Sequence, residues 1–277
     1  MAAATDPPPP AVTPARLADD LRRLGVRPGG VTMVHARMSA LGWVIGGSEG
    51  VVRALLGALG PGGTLMAYAS WQEHVYHAEN WPPEHRDAYR ADPPVFHLDT
   101  GEAARDHGRI PERVRTWPGA ERSAHPEASV VAVGPRARWL TADHPGDDAY
   151  GARSPFARLA EAGGQVLMLG APLDTLTLLH HSESLARVEP KRRVTFGVRV
   201  ATPGGAEDRT YTDIDTTRGA FRYEDLDLPE DAFAVIGREA LAAGIGASGT
   251  VGAATCHLFE ADATAAFGAA WMERTFG

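Results

Sequence analysis

A histidine and a glutamate one helical turn apart are the best candidates for catalytic residues in this sequence. His180 and Glu183 follow the apolar residues 165–169, which are typical of a buried strand that ends at Gly170. A helix over about residues 174–187 would place both side chains on one face. A carboxylate beside an imidazole can hold one tautomer and stabilise the imidazolium, so the pair is a candidate general base. A solvated ion pair or half of a di-iron site would have the same spacing.

The segments around this pair alternate between predicted helices and predicted strands. A helix, a Pro-Gly-Gly turn and a short apolar strand follow one another over residues 13–35 and again over residues 48–68. Further helices are predicted at residues 109–116, 154–162, 231–243 and from residue 262, and further strands at residues 129–133, 194–200, 209–213 and 251–259. This alternation predicts an α/β layer fold, in which ligands bind beyond the carboxyl ends of the strands.

Composition limits the classes of protein to which the chain can belong. It has 277 residues, a net charge of −8 and a pI near 5.8. Because no cluster of lysine and arginine stands out, nucleic acid is not expected as a partner. Cys256 is the only cysteine, which excludes an internal disulfide and a thiolate-rich metal site.

Residues 1–12 are rich in alanine and proline and predict a disordered leader. They lack the basic and apolar regions of a secretory signal. No apolar run approaches the roughly 18 residues of a membrane span, so we expect no membrane contact and a cytoplasmic location. No linker divides residues 13–277, which predicts a single domain.

The regular pattern disappears over residues 72–108. This stretch is rich in histidine, proline and acidic residues and is too long for an ordinary connector, which is typical of functional loops. His74 and His77 have the spacing of a zinc pair, but no third ligand follows at a telling distance. We therefore expect no bound metal and interpret the stretch as a polar loop on the substrate side.

Residues 244–249 match the dinucleotide-binding pattern G-x-G-x-x-G. That pattern holds a pyrophosphate only between a strand and a helix of a βαβ unit. Here an alanine- and leucine-rich helix precedes the glycines and a strand-like segment follows them. We interpret the motif as a glycine-rich turn from helix to strand.

The His180 motif becomes specific when it is taken with other blocks of sequence. In chain order the blocks are His35 with Gly46-Gly47, Arg122-Ser123-Ala124-His125-Pro126, Tyr150-Gly151-x-x-Ser154-Pro155, Leu169-Gly170 with Asp174 and Thr177-x-x-His180-x-x-Glu183, and Gly249-x-Val251-Gly252. Together they resemble the aminoglycoside 3-N-acetyltransferase family, which acetylates the 3-amino group of the 2-deoxystreptamine ring from acetyl-CoA. The resemblance extends from about residue 13 to residue 275. It implies one acetyltransferase domain with a mixed central sheet flanked by helices, of the antibiotic N-acetyltransferase type and neither the Rossmann nor the common N-acetyltransferase fold.

The resemblance also implies a mechanism. His180 would take the proton of the attacking amine, and Glu183 would orient His180 or help to bind the substrate. An imidazole suits this task because it titrates near neutral pH. The amine would attack the thioester directly in a ternary complex, which agrees with the lack of a reactive-cysteine motif.

For the cosubstrate acetyl-CoA, the resemblance indicates His35, Arg37, Ser123 and Ser154 as binding residues. Each has a structural alternative, which is strongest for Ser154 because serine before proline is a good helix cap. One position departs from the family pattern. A serine usually follows the first-strand histidine, but this chain has Ala36 there, so a hydrogen bond from that hydroxyl is missing.

Aminoglycosides carry several ammonium groups, so their site needs carboxylates. We expect Asp174, Asp213, Asp215 and Glu224 to bind the substrate, with Trp71 near the end of a strand beside them. A solvated acidic loop explains Asp213 and Asp215 about as well.

Two other functions remain open on the sequence alone. The first is an N-acetyltransferase of the same fold that acts on a different amine. The second is a non-catalytic protein that binds cations on an acidic scaffold. The sequence leaves the oligomeric state open.

Overall fold

The computed structural model describes residues 11–73 and 75–277. The α-helices in these residues are α1 (Pro14–Leu24), α2 (Gly47–Leu59), α3 (Pro83–Ala91), α4 (Arg109–Arg115), α5 (Ala137–Thr141), α6 (Pro155–Glu161), α7 (Leu178–Leu185), α8 (Ala232–Ala242) and α9 (Ala261–Phe276). The strands are β1 (Ala11–Val12), β2 (Val31–Ala36), β3 (Trp43–Val44), β4 (Thr64–Tyr68), β5 (Val95–Phe96), β6 (Glu121–Arg122), β7 (Val130–Val133), β8 (Gln165–Leu169), β9 (Arg193–Thr202), β10 (Gly205–Ile214), β11 (Gly246–Val251) and β12 (Ala254–Glu260). None of the helices found in the described residues is long and apolar enough to cross a membrane.

Local sequence signals set the boundaries of the first helix. The Thr13 hydroxyl accepts a hydrogen bond from the backbone N–H of Arg16 at 3.2 Å, and Pro14 occupies the first helical position. Gly25 ends α1 with a φ of +113°, a conformation that favours glycine. The predicted helix over this segment is therefore confirmed at both ends.

Seven strands form the central sheet in the order β11-β12-β8-β2-β4-β7-β6. β8, β2 and β4 run parallel at its centre, and Met33 of β2 pairs with both Met66 and Val166. β12 pairs antiparallel with β8 on one side, and β7 pairs antiparallel with β4 on the other, so the sheet is mixed. This arrangement confirms the predicted α/β class with a mixed central sheet.

The central strands are buried on both faces because helices cover each side of the sheet. Met33 and Met168 pack on the side that carries α5 to α9, whereas Val34 and Leu167 pack on the side of α1, α2 and α4. Successive side chains of a strand point to opposite faces. The uninterrupted apolar runs of β2 and β8 therefore match two buried faces.

The predicted polar loop at residues 72–108 is partly regular. It contains α3, β5 and two 3₁₀ turns at Ala78–Asn80 and Arg105–His107. β5 pairs in parallel with β9, and β9 pairs with β10 in the predicted hairpin, which makes a second sheet. Trp71 and Phe96 belong to a small apolar core shared with this hairpin. The segment is therefore held in place by apolar contacts, which its largely polar composition does not predict.

The glycine-rich residues 244–249 are a turn only at their start. Gly244 follows α8 with a φ of +76°, as expected, but β11 already begins at Gly246. β11 and β12 pair antiparallel around Gly252, so the strand predicted at residues 251–259 is the second arm of a hairpin. A strand, not a helix, follows the glycines, which rejects the dinucleotide-binding interpretation.

The structure places two other boundaries differently from the sequence prediction. The sequence assigns residues 11–12 to the leader, whereas the structure places them in β1, paired with β3; residues 1–10 lie outside the described part. The helix predicted from about residue 174 is shorter than expected. The chain first makes a 3₁₀ turn at Leu173–Thr175, and α7 begins only at Leu178.

Replacing Gly134 with alanine should destabilise the fold. Gly134 has a φ of +131°, and a Cβ there would lie 2.3 Å from the carbonyl oxygen of Gly63 and 2.8 Å from the Cα of Thr64. We expect Gly134→Ala to lower the free energy of unfolding by at least about 2 kcal/mol in urea denaturation. In Gly57→Ala the new Cβ would lie 3.9 Å from its nearest neighbour inside α2. This control should keep or slightly raise stability, and an equal loss in both variants would contradict the strain argument.

Candidate active site

A cavity of about 760 Å³ lies beyond the carboxyl ends of the central parallel strands. Its wall includes residues at the end of β2 and just after it, at the end of β4, before α4 and at its start, and from the segment after β8 into α7: among them His35, Ala36 and Arg37; Tyr68; Asp106, His107 and Arg109; and Thr175, Thr177 and His180. This is the edge where α/β sheets usually bind ligands.

His180 and Glu183 meet at this wall on α7. Nδ1 of His180 is 2.7 Å from Oε2 of Glu183. Because an ionised carboxylate can only accept, Nδ1–H is the donor, and in the neutral imidazole Nε2 keeps a lone pair. Nε2 has no hydrogen bond within the described residues, and the His180 side chain is 14% exposed at the cavity. The pair therefore presents a basic nitrogen to the cavity.

The Glu183 carboxylate is fully buried, and both of its oxygens have partners. Oε1 accepts hydrogen bonds from the backbone N–H of Ala220 at 2.8 Å and from the Tyr223 hydroxyl at 3.0 Å. Burial and the adjacent carboxylate raise the pKa of Tyr223 far above its usual value, so the phenol stays protonated and donates. The carboxylate is thus held from two sides and turned toward His180.

Two aromatic rings fix the imidazole in the wall. The ring centroids of His180 and Phe233 are 4.8 Å apart in an edge-on contact, and those of His180 and Tyr150 are 5.2 Å apart. The Tyr150 hydroxyl lies 2.9 Å from that of Tyr68, which donates to the carbonyl of Glu127. The sequence block that begins at Tyr150 therefore supports the histidine.

Of the four residues predicted to bind acetyl-CoA, the structure brings His35 and Arg37 to the cavity. Burial, and to a lesser extent the neighbouring His107, lowers the pKa of His35 to about 3, so the ring is neutral at physiological pH. Nε2 of His35 is buried without a hydrogen-bond partner in the part of the chain that the structure describes. Buried polar atoms are normally satisfied, which makes this nitrogen a candidate contact for a ligand.

The other two, Ser123 and Ser154, lie buried away from the cavity wall. The Ser154 hydroxyl accepts the N–H of Ala157 at 3.1 Å and caps α6. The Ser123 hydroxyl accepts the N–H of Val130 and lies 2.9 Å from Nδ1 of His144. Both hydroxyls are therefore used within the fold, which is the structural alternative that the sequence left open for Ser154.

None of the five residues predicted to bind the substrate belongs to the cavity wall. Trp71 is buried against Phe96, with ring centroids 5.4 Å apart. Glu224 is half exposed and forms a two-pronged ion pair with Arg192. Asp174 is exposed on the 3₁₀ turn before α7, although its neighbour Thr175 lines the cavity. These three side chains therefore do not line the cavity that holds His180.

Asp215 lies next to the cavity and shapes its wall. Its carboxylate accepts hydrogen bonds from the N–H and the hydroxyl of Thr217, at 3.0 and 2.6 Å, and its other oxygen is 3.0 Å from Nε2 of His77. Thr216 and Thr217 line the cavity. Asp215 therefore ties the segment around His77 to the threonines of the wall.

Asp213 is a buried carboxyl at the end of β10. Oδ1 accepts the N–H of Ile214 at 2.8 Å, and Oδ2 has no partner among the described residues. Burial, reinforced by the charge of Asp148, raises the pKa of Asp213 to about 7. The side chain does not line the cavity.

Metal ligands do not converge in the described part of the chain, where no three His, Cys, Asp or Glu side chains form a group. His77, half of the zinc-like pair, bonds with Glu79 and Asp215. His74 lies outside the described residues.

Comparison with known proteins decides the family. The family model described as aminoglycoside 3-N-acetyltransferase matches residues 33–273. The chain belongs to this family of acyltransferases. Aminoglycoside N(3)-acetyltransferase VIII of Streptomyces fradiae is 50% identical over 269 residues, which are 96% of this chain and 93% of that protein.

Solved structures of related acetyltransferases share the fold. AAC-IIIb, in a binary complex with CoASH, has a TM-score of 0.89 at 45% identity, and the match covers 97% of this chain and 98% of that chain. AAC-VIa bound to sisomicin has a TM-score of 0.88 at 38% identity, covering 97% and 100% of the two chains. The resemblance inferred from the motif blocks is therefore confirmed.

Several residues that build this acetyltransferase's site, some of them behind the cavity wall, were not predicted from the sequence. Tyr223 and Ala220 hold Glu183 from about 40 positions away, and no local spacing signals that contact. Glu127, which lines the cavity and accepts the N–H of Val75 at 2.9 Å, directly follows the Arg122–Pro126 block. Extending that block by one residue would have found it.

Replacing Asp213 with asparagine should stabilise the acetyltransferase, more so at high pH. A carboxyl whose pKa is raised by folding favours the folded state at low pH and opposes it as pH rises from about 4 through 7. Above pH 8, the ionised Asp213 then lowers the free energy of unfolding by on the order of 4 kcal/mol. The amide oxygen introduced by Asp213→Asn can still accept the N–H of Ile214. We expect the stability gain over wild type, measured by urea unfolding, to be larger at pH 8 than at pH 5.

The exposed Asp208 on the same hairpin provides the matched control. Asp208→Asn should shift stability by a similar small amount at both pH values. A pH-independent effect of Asp213→Asn would show that Asp213 does not titrate as its burial requires.

Proposed function

We propose that this chain transfers the acetyl group of acetyl-CoA to the 3-amino group of the 2-deoxystreptamine ring of aminoglycosides, with His180 as the general base, and so confers antibiotic resistance. The observation that carries the proposal is the bond between Nδ1 of His180 and the buried Glu183, which leaves Nε2 for the cavity. The names of the relatives support the reaction and its two substrates. Acetyl-CoA is an intracellular metabolite, so the cytoplasm is the proposed location.

The 3-amino group reacts as the neutral amine, and the reaction then needs one proton transfer to the protein. The amine nitrogen attacks the thioester carbonyl carbon, and its proton passes to Nε2 of His180 as the C–N bond forms. The C–S bond then breaks, and the thiolate takes that proton from the imidazolium. No covalent enzyme intermediate is required, and base catalysis of this kind contributes about 10²–10⁴ in rate.

Glu183 is proposed to position His180 and not to bind the substrate. Both of its carboxylate oxygens already accept hydrogen bonds, from His180, Ala220 and Tyr223. Its charge would stabilise the imidazolium that forms during the attack.

The residues of the cavity fit both substrates. The neutral His35, with its unsatisfied Nε2, and the cationic Arg37 could contact acetyl-CoA. Glu127 lines the cavity and carries a carboxylate that an ammonium group could approach. We propose Glu127 as the acidic contact for the aminoglycoside, with Asp215 acting through Thr217.

The reaction is tested by following free thiol release from acetyl-CoA. We expect turnover with gentamicin and kanamycin and little with a simple diamine, and NMR of the product should place the acetyl group on the 3-amino nitrogen. Turnover of the diamine alone would favour an acetyltransferase for another amine. No thiol with any amine, in protein that still binds an aminoglycoside by calorimetry, would favour a non-catalytic cation-binding protein.

The role of the dyad is tested by two variants. We expect His180→Ala to lower kcat at least about 10²-fold while both substrates still bind. Glu183→Gln should lower kcat by a similar factor, because an amide NH₂ facing Nδ1 would favour the tautomer with the proton on Nε2.

His85, which is exposed on α3 and outside the cavity wall, provides the control. His85→Ala should keep wild-type kcat. The dyad assignment would be wrong if folded His180→Ala kept kcat within a few fold of wild type.

A further inference from the structure

A second, smaller cavity adjoins the first and is rich in arginine. It has a volume of about 360 Å³ and shares Gly108 and Arg109 with the larger cavity. Arg105 and Arg113 complete its cationic lining, and Ser48 of the first turn of α2 also lines it. A Cβ added at Gly108 would lie 3.6 Å from the carbonyl oxygen of Ala36, so the turn that borders both cavities lies close to the end of β2.

The three arginines of this cavity have no partners in the described residues. The side chains of Arg105, Arg109 and Arg113 make no hydrogen bond and no ion pair there, and all three are exposed. By contrast, Arg115, which lies on α4 with Arg109 and Arg113, donates hydrogen bonds to both carboxylate oxygens of Glu112. In a chain with a net charge of −8, unpaired arginines that share one concave surface indicate an anionic ligand.

The opposing charges around this cavity are few. Glu102 and Glu112 are the acidic residues of its lining. Glu112 is already occupied by Arg115 and by the N–H of Ala103 at 3.0 Å. Glu49, which is close enough to feel the charge of Arg113, forms its ion pair with Arg53. The cationic excess is therefore not cancelled locally.

We propose that Arg105, Arg109 and Arg113 hold the 3′-phosphate of acetyl-CoA. The inference rests on the proposed function, since the thioester must reach His180 while the charged end of the molecule lies elsewhere. Guanidinium groups match phosphate oxygens in geometry and charge. Arg109 lines both cavities, so the uncharged pantetheine arm can run from one into the other.

This placement also separates the two substrates by charge. The polyanionic end of acetyl-CoA occupies the arginine-lined cavity, from which a polycationic aminoglycoside is repelled. The aminoglycoside is left the part of the larger cavity near Glu127 and Thr217. Each substrate is thus steered to its own side of His180.

The test measures the dissociation constants of CoA and of dephospho-CoA, which lacks the 3′-phosphate, by calorimetry. The wild type should bind CoA at least about tenfold more tightly than dephospho-CoA. In the double variant Arg105→Gln with Arg113→Gln this preference should fall to near one, because CoA binding weakens and dephospho-CoA binding does not. The KM for acetyl-CoA should rise, and the KM for the aminoglycoside should not.

Arg138→Gln is the matched control, since Arg138 is an exposed arginine on α5 outside both cavities. It should keep the wild-type preference. An unchanged preference in the double variant, an equal loss of affinity for both ligands, or no preference in the wild type would each overturn the 3′-phosphate assignment. These outcomes differ from failure of the proposed function, in which wild-type protein releases no thiol with any aminoglycoside.

Discussion

The site depends on one buried carboxylate. Glu183 has no exposed surface, and it is stable there because Ala220, Tyr223 and His180 donate to its two oxygens. An unpaired buried charge would cost several kcal/mol, so these donors must be in place whenever the protein is folded. The fold thereby fixes which nitrogen of His180 carries the proton. A surface ion pair with the same i, i+3 spacing would leave the ring free to rotate.

The position of the site follows from the architecture of the sheet. β2, β4 and β8 run parallel, so their carboxyl ends meet at one edge and bring His35, Tyr68 and the approach to α7 together. Tyr76 and His107 of the segment anchored to the second sheet, and Thr217 shortly after β10, line further parts of the wall. Residues distant in sequence thus surround His180 with neutral, acidic and basic groups in separate places.

Much of the fold could be predicted because local physics sets it. Thr13 and Gly25 mark both ends of a helix, and the apolar runs of β2 and β8 are long enough to be buried on both faces. The segment at residues 72–108 could not be predicted, because its order comes from pairing with β9, far along the chain. For the same reason β11 could not be predicted. Its glycines favour no single backbone conformation, and the strand forms because it pairs with β12.

The site was predictable where its chemistry is local. His180 and Glu183 lie one turn apart, whereas the tyrosine that holds Glu183 is brought in by tertiary packing. ¹⁵N NMR of the His180 ring at pH 8 in the resting protein reports which ring nitrogen carries the proton. The hydrogen bond to Glu183 predicts a protonated Nδ1 and an unprotonated Nε2. A ring with its proton on Nε2, or one that exchanges between both tautomers, would contradict it.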